Sequence, residues 1–411
     1  MSERVVITGI GAITPIGTGA EALWQGVLDG RSAVRTITRF DASHFSSQVA
    51  AEIDFVPTDH LPAKQARRMD RYSQFALVAA KMALEDAGIA PEHAAKSGAG
   101  VYTGSALAGV AFAEEQHEAY LTKGPGSVNP MLALSVFGGA ASSNITIEMG
   151  FTGPSLANGN SCAAGMIAIG EAAKLIREGR TPLMLAGGAE APLSPLTFGA
   201  FTMIRVLSTR NDDPATASRP FDKNRDGFVI AEGSAMLVLE SLEHAQMRGA
   251  HIYAEVMGFG TSSDGHHMTA PHPEGIHAAR AMSEALLDSG LTPDDIGYVN
   301  AHGSSTTLND STECRAIRLA LGDRAERIPV SGTKGQHGHA LGATGAMETA
   351  ICAMALERGH LPGTANLANR DEACDLDIIP PGGRDEQVNY LMTNAFGFGG
   401  INASIALGAV H

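Results

Sequence analysis

Aromatic side chains are scarce in this chain: they make up 5% of its 411 residues, with a single tryptophan. Glycine and alanine are abundant instead, which fits a tightly packed α/β enzyme better than an all-β protein. Basic residues are outnumbered, 29 Lys and Arg against 44 Asp and Glu, for a net charge of −15. That balance argues against nucleic acid or an anionic membrane as a global partner, and leaves room only for a local basic patch. The four cysteines, Cys162, Cys314, Cys352 and Cys374, have no close paired spacing. They form neither a disulfide framework nor a zinc motif. No apolar stretch is long and charge-free enough for a membrane span. Met1 leads directly into the short apolar run Val5 to Ile10, without a secretory leader. A reduced, soluble, cytoplasmic protein is expected. A dinucleotide fingerprint is missing too: Gly9 and Gly11 follow an apolar run, but Thr14 stands where the third glycine belongs. That pair reads as a tight turn packed against another backbone.

What is present is a weak internal repeat. Val5 to Gly11 is answered by Ala254 to Gly260, each an apolar strand pattern ending in Gly-x-Gly. Ala83 to Pro91 resembles Ala285 to Pro293, each a helix end with glycine as cap and proline beyond. Cys162-Ala163-Ala164-Gly165 takes the place of Gly342-Ala343-Thr344-Gly345, and both open Ala-rich helices that end near Gly179 and Gly359. The matches keep their order, so two α/β halves are expected, 1–253 and 254–411.

Cys162 is the most informative residue. Small residues surround it, Gly159-Asn160-Ser161 before and Ala163-Ala164-Gly165 after, and a helical run to Arg177 follows. A thiol at a helix entrance faces unpaired N–H groups, which favours thiolate, the nucleophilic form. Two glycine-flanked histidine motifs come later: Asn300-Ala301-His302-Gly303, and Lys334-Gly335-Gln336-His337-Gly338-His339. One Cys with two such His motifs is a catalytic pattern rather than a packing pattern. His266, His267, His272 and His277 could suggest a metal cluster. Proline and glycine interrupt them, so a mobile loop is expected and no metal.

The chain resembles the elongating β-ketoacyl-acyl carrier protein synthases, the type II enzymes above all. The resemblance rests on Arg4-Val5-Val6-Ile7-Thr8-Gly9, Gly187-Gly188-Ala189-Glu190, Leu207 to Asp212, Arg219-Pro220-Phe221-Asp222, Arg225-Asp226-Gly227-Phe228 and Asn394 to Gly400. It implies a thiolase-like fold of two duplicated halves in αβαβα layers, and a dimer. It also implies roles. Cys162 would carry the acyl chain as a thioester, with His302 and His339 as the two histidines. Lys334, Asp310, Glu313 and Glu348 would support them. Phe398 would gate the site within Gly397, Gly399 and Gly400, and its N–H would complete an oxyanion hole with that of Cys162. Ala106 and Leu107 would line the acyl pocket. Lys64, Arg67, Arg68 and Arg205 would meet the acyl carrier protein, with Arg71 one helical turn beyond.

The chemistry accounts for these residue types. Acyl transfer needs a soft nucleophile that is also a good leaving group. Fixed backbone donors act best on the tetrahedral oxyanion. Decarboxylation of a malonyl thioester puts charge on a carbonyl oxygen, which neutral histidines can receive. No metal or redox cofactor is implied. His302-Gly303-Ser304-Ser305-Thr306 departs from the common His-Gly-Thr opening, Asn309 stands where glycine is common, and Gln336-His337 replaces small hydroxyl residues. These departures leave pathway, chain length, and homodimer or chain-length-factor heterodimer open. A type II polyketide or polyene ketosynthase is the alternative reading. A non-catalytic partner subunit conflicts with retention of Cys162, His302 and His339. A coenzyme A-dependent thiolase conflicts with the setting of His339.

Overall fold

Two sets of five strands repeat one another in order and direction. In this computed structural model, which describes residues 3–410, the first set is β1 (Val5–Thr14), β2 (Gly100–Gly104), β3 (Ser155–Asn158), β4 (Leu183–Glu190) and β5 (Gly233–Ser241). The second is β6 (Ala254–Ser263), β7 (Tyr298–Asn300), β8 (Pro329–Ser331), β9 (Tyr390–Gly397) and β10 (Ile401–Gly408). Their orders are β3-β2-β4-β5-β1 and β8-β7-β9-β10-β6. In each, the outer two pairings are parallel and the inner two antiparallel. β1 and β6 pair through Val6–Glu255 and Ile7–Ala254. That seam joins the two sets, with two short added strands, into one twelve-stranded sheet.

Helices complete five layers. The helix Arg71–Asp86 covers β1 and β5 on one outer face, and Ile276–Ser289 covers β6 and β10 on the other. Between the two sets lie Ala164–Arg177 and Thr344–Arg358, each touching strands of both. Residues Thr344 to Leu356 are all buried. The two central helices approach closely because small residues face each other: a Cβ on Gly165 would lie 2.8 Å from the Gly342 carbonyl oxygen.

The Gly-x-Gly pairs correct the sequence reading. They are not turns; β1 continues to Thr14 and β6 to Ser263. A Cβ on Gly11 would lie 1.8 Å from the Ala79 carbonyl oxygen, and one on Gly260 2.1 Å from that of Ala281. The glycines let an outer helix rest its backbone on the strand. The expectation of a close backbone approach holds, and in both halves.

Candidate active site

Cys162 stands in a single 3-10 turn, Ser161–Ala163, that runs into the central helix. Ser161 has φ 51°, and Leu341 at the matching place in the second half has φ 43°. Left-handed backbone costs a non-glycine residue on the order of 1–2 kcal/mol, and such strain collects at functional turns. β9 passes directly behind: a Cβ on Gly397 would lie 3.0 Å from the Cys162 nitrogen. The Phe398 N–H reaches the sulfur, and Ser161 Oγ lies 3.8 Å from it.

The thiolate expectation is not met in this resting site. Cys162 is buried, and burial pushes its thiol up. The Ser161 hydroxyl, the Phe398 N–H and the Lys334 charge oppose that shift without overcoming it. Position at a helix entrance was legible in sequence; the loss of water around the sulfur was not.

Both histidines share a cleft with Cys162 and Phe398. The rings of His302 and His339 are 5.2 Å apart, centroid to centroid, at 80°. His339 is fixed from three sides. Its backbone N–H donates to Val229 at 2.8 Å, Nδ1 meets Thr344 Oγ1 at 3.0 Å, and Phe228 packs edge-on at 5.2 Å. Among the described residues the His302 ring makes no hydrogen bond, and its Nδ1 is buried without a partner. Burial, then the nearby Lys334 charge, hold both imidazoles well below the usual histidine range. Both are therefore neutral at pH 7.

The charged residues form the floor. Lys334 Nζ lies 2.8 Å from each Glu348 oxygen and also donates to the His302 carbonyl. Glu348 accepts a further bond from Thr333 at 3.1 Å. Glu313 receives the backbone N–H groups of His302 and Gly303 at 2.7 and 2.9 Å. Asp310, one turn earlier, accepts from Phe221 N–H at 2.9 Å and faces Arg225. A buried carboxylate survives by such bonds.

Ala106 and Leu107 belong to the apolar cluster that also holds Cys162, Phe198 and Leu341. Their N–H groups bind Glu190 at 2.6 and 3.1 Å, and Gly342 N–H binds it at 3.0 Å. Burial pushes Glu190 up to about 7, against those donors. Sequence reasoning gave Glu190 no role; only its place in a recognised motif drew notice. Asp264 was missed as well. It accepts from His272 N–H and from Asn402, each at 2.8 Å, and its own N–H binds the Gly400 carbonyl. The loop carrying His266, His267 and His272 thus closes on the Phe398 turn, where Gly399 N–H also donates to the Met268 carbonyl at 2.7 Å; His277, the fourth, stands instead in the helix Ile276–Ser289. Among the described residues no cluster of three or more His, Cys, Asp or Glu has metal-holding geometry.

Gly399 and Gly400 have φ 85° and 71°. A Cβ on Gly399 meets only Ile401 at 3.8 Å, whereas one on Gly400 would sit 2.6 Å from the Asp264 Cβ. Gly399→Ala is therefore expected to add backbone strain alone, and Gly400→Ala to push the two loops apart. Single-turnover acylation of Cys162 by long chains should slow in both, more in Gly400→Ala. Equal rates for both variants and the parent would remove the turn from any gating role.

The basic residues divide. Lys64, Arg67 and Arg68 are exposed on and after the short helix Ala63–Ala66. Arg205 lines the cleft that ends at Cys162. Arg71 leaves the patch: its guanidinium makes two 2.8 Å bonds to the buried Glu232 and one to the Ile53 carbonyl. That partner lies 161 residues away in sequence.

A cysteine opposed by neutral histidines and a backbone donor suits acyl transfer through a thioester, here on a duplicated α/β scaffold. Residues 2–245 match the family described as beta-ketoacyl synthase, N-terminal domain, and residues 253–368 match its C-terminal domain. The chain belongs to the β-ketoacyl synthase family; it is a condensing acyltransferase with the thiolase-like fold. It is 44% identical over 409 residues to 3-oxoacyl-[acyl-carrier-protein] synthase 2 of Coxiella burnetii, covering 99% of both chains. It is 45% identical over 405 residues to the protein of the same name from Synechocystis, covering 98% and 97%. A solved type II PKS ketosynthase, bound to its acyl-carrier protein and a hexaketide, superposes with TM-score 0.93 at 35% identity over all of both chains. The ishigamide ketosynthase/chain length factor does so with TM-score 0.93 at 36% identity, again over all of both chains.

Proposed function

We propose that this enzyme lengthens acyl chains by two carbons in fatty-acid synthesis. Cys162 takes the acyl group from its carrier as a thioester. A malonyl thioester on the carrier protein then loses carbon dioxide, and the resulting carbanion attacks the Cys162 thioester and releases the thiol. The Phe398 and Cys162 N–H groups receive the oxyanion of acyl transfer, and His302 and His339 receive the enolate oxygen. The observation that carries this reading is the meeting of Cys162, His302, His339 and Phe398 in one cleft. Incubation with acyl- and malonyl-carrier protein, followed by intact mass, should reveal a carrier-bound β-keto chain two carbons longer. Malonyl-carrier protein consumed without any extended product would defeat the proposal.

The division at 253/254, with Cys162 in the first half and both histidines in the second, is supported by the repeated strand order and glycine pairs. A dimer is supported by the edge strand β3, where Leu156 is exposed, and by the exposed Leu134 and Phe137. Unpaired apolar edges invite pairing. A second copy is the expected partner. The neighbour described as a ketosynthase/chain length factor favours, as second reading, a heterodimer with a chain-length-factor subunit. The condensation assay with and without such a sister subunit separates the two. Among the described residues no helix is long and apolar enough to cross a membrane, and a cytoplasmic location follows from the proposed pathway.

The carrier protein is taken to be acidic, so it must find local positive charge on an enzyme of net charge −15. Lys64, Arg67, Arg68 and Arg205 supply it. Reversing charge at Arg67 and Arg68 together should raise KM for carrier-bound substrates roughly tenfold while small thioester analogues change little. Equal losses on both substrate types would mean damaged folding instead.

A further inference from the structure

His337 is a third buried histidine, two residues before His339, at a place where the resemblance implies a small hydroxyl side chain. It is fully buried in the four-residue helix Lys334–His337. A bulky polar ring in such a site needs a partner. It has one: Nε2 lies 3.1 Å from Thr333 Oγ1, while Nδ1 has none.

Thr333 has a single hydroxyl proton, and two neighbours compete for it. The other is Glu348 Oε1, also at 3.1 Å. An ionised carboxylate can only accept, so the proton goes to Glu348 and the Thr333 oxygen must accept from His337. That assigns the His337 proton to Nε2 and leaves Nδ1 as a bare lone pair. An orphan lone pair is the cheaper of the two possible orphans, since a buried N–H without an acceptor is rarer. The unpartnered Nδ1 is the one this assignment requires.

The chain of bonds continues to the cleft. Glu348 holds Lys334 Nζ by two 2.8 Å contacts, and Lys334 donates to the His302 carbonyl. We propose that His337 is a positioning residue: by donating Nε2–H to Thr333 it orients that hydroxyl onto Glu348, and so steadies the Lys334–Glu348 pair beneath His302. This inference rests on the proposed role of His302 in decarboxylation. The groups facing Glu348 are Lys334 and Thr333, with Tyr298 and Cys352 close by; those facing His337 are Thr333, Lys334, His339 and the Gly338 backbone. Burial raises Glu348, and the bond from Thr333 is one of the few influences that lower it. Its loss raises the carboxyl further. The Lys334–Glu348 pair is then protonated away at a higher pH, as pH falls.

The test compares His337→Leu with His337→Gln, whose amide can donate to Thr333 at similar reach. Wild-type enzyme releasing carbon dioxide from malonyl-carrier protein first establishes the underlying reading; if it does not, that reading fails and not this one. His337→Leu should release carbon dioxide roughly tenfold more slowly, the scale of one hydrogen bond to a charged group. Its acid limb should move to higher pH, with acyl loading of Cys162 intact. His337→Gln should restore both the rate and the limb. A His337→Leu variant with the parental rate and pH profile overturns the proposal. So does a His337→Gln variant that loads and melts like the parent but decarboxylates as poorly as His337→Leu.

Discussion

Cys162→Ala should take up no acyl group and give no condensation, a loss on the order of 10,000-fold or more in turnover. No other thiol can substitute. Cys314, Cys352 and Cys374 are fully buried. A hydrogen bond to Cys374 and burial push the Cys314 thiol well up, and burial pushes the Cys352 thiol up. None of the three lines the cleft that holds Phe398 and the histidines. The replacement itself is mild, because Ala keeps the small volume that the turn and the neighbouring β9 demand. Loss of one sulfur from the apolar cluster should cost about 1 kcal/mol of stability. Intact-protein mass after incubation with acyl-carrier protein, beside a melting curve, is the measurement. An acyl adduct on another cysteine together with parental turnover would refute the assignment.

Cys162, His302 and His339 stand out in the sequence because each sits in a glycine-flanked turn, and such turns leave a local mark; the structure brings the three to one cleft. The fold was readable for a related reason. A duplicated chain repeats its close approaches, so Gly9 and Gly11 predict Gly258 and Gly260. What the sequence could not show is which charges meet. Arg71 looks like its neighbours Arg67 and Arg68 until Glu232 arrives from a distant strand end. Glu190 looks like any strand-terminal carboxylate until Ala106, Leu107 and Gly342 turn their N–H groups on it. The Cys162 thiol illustrates the same limit in one residue. Its helix-entrance position is local information, but its burial depends on β9 and on the second half. Local pattern favours thiolate, and long-range packing opposes it. The packing wins in the resting site because desolvation acts on the whole charge, whereas the Ser161 hydroxyl and Phe398 N–H each supply one bond.

His302→Ala and His339→Ala should each leave Cys162 able to accept an acyl group, yet cut carbon dioxide release from malonyl-carrier protein by about a hundredfold or more. Such a loss corresponds to roughly 2.7 kcal/mol of transition-state stabilisation, the scale of one well-placed donor to a developing oxyanion. The division between the two half-reactions follows from where the donors sit. Acyl transfer has the Phe398 N–H already on the sulfur, whereas the enolate needs donors across the cleft. Neutral imidazoles can serve there: His339 Nδ1 lies 3.0 Å from Thr344 Oγ1, and in the tautomer in which that hydroxyl donates, the ring proton sits on Nε2, free to meet the enolate oxygen. The pH profile tests the same point. Burial and Lys334 depress both histidines, so they protonate only well below their ordinary value of 6.5. Carbon dioxide release by the wild-type enzyme should therefore not collapse as pH falls through that value on account of either ring. Carbon dioxide and the Cys162 adduct are to be followed separately in each variant. Normal decarboxylation in both alanine variants, or a loss of acyl loading as deep as the loss of decarboxylation, would show that the histidines serve some step other than enolate formation.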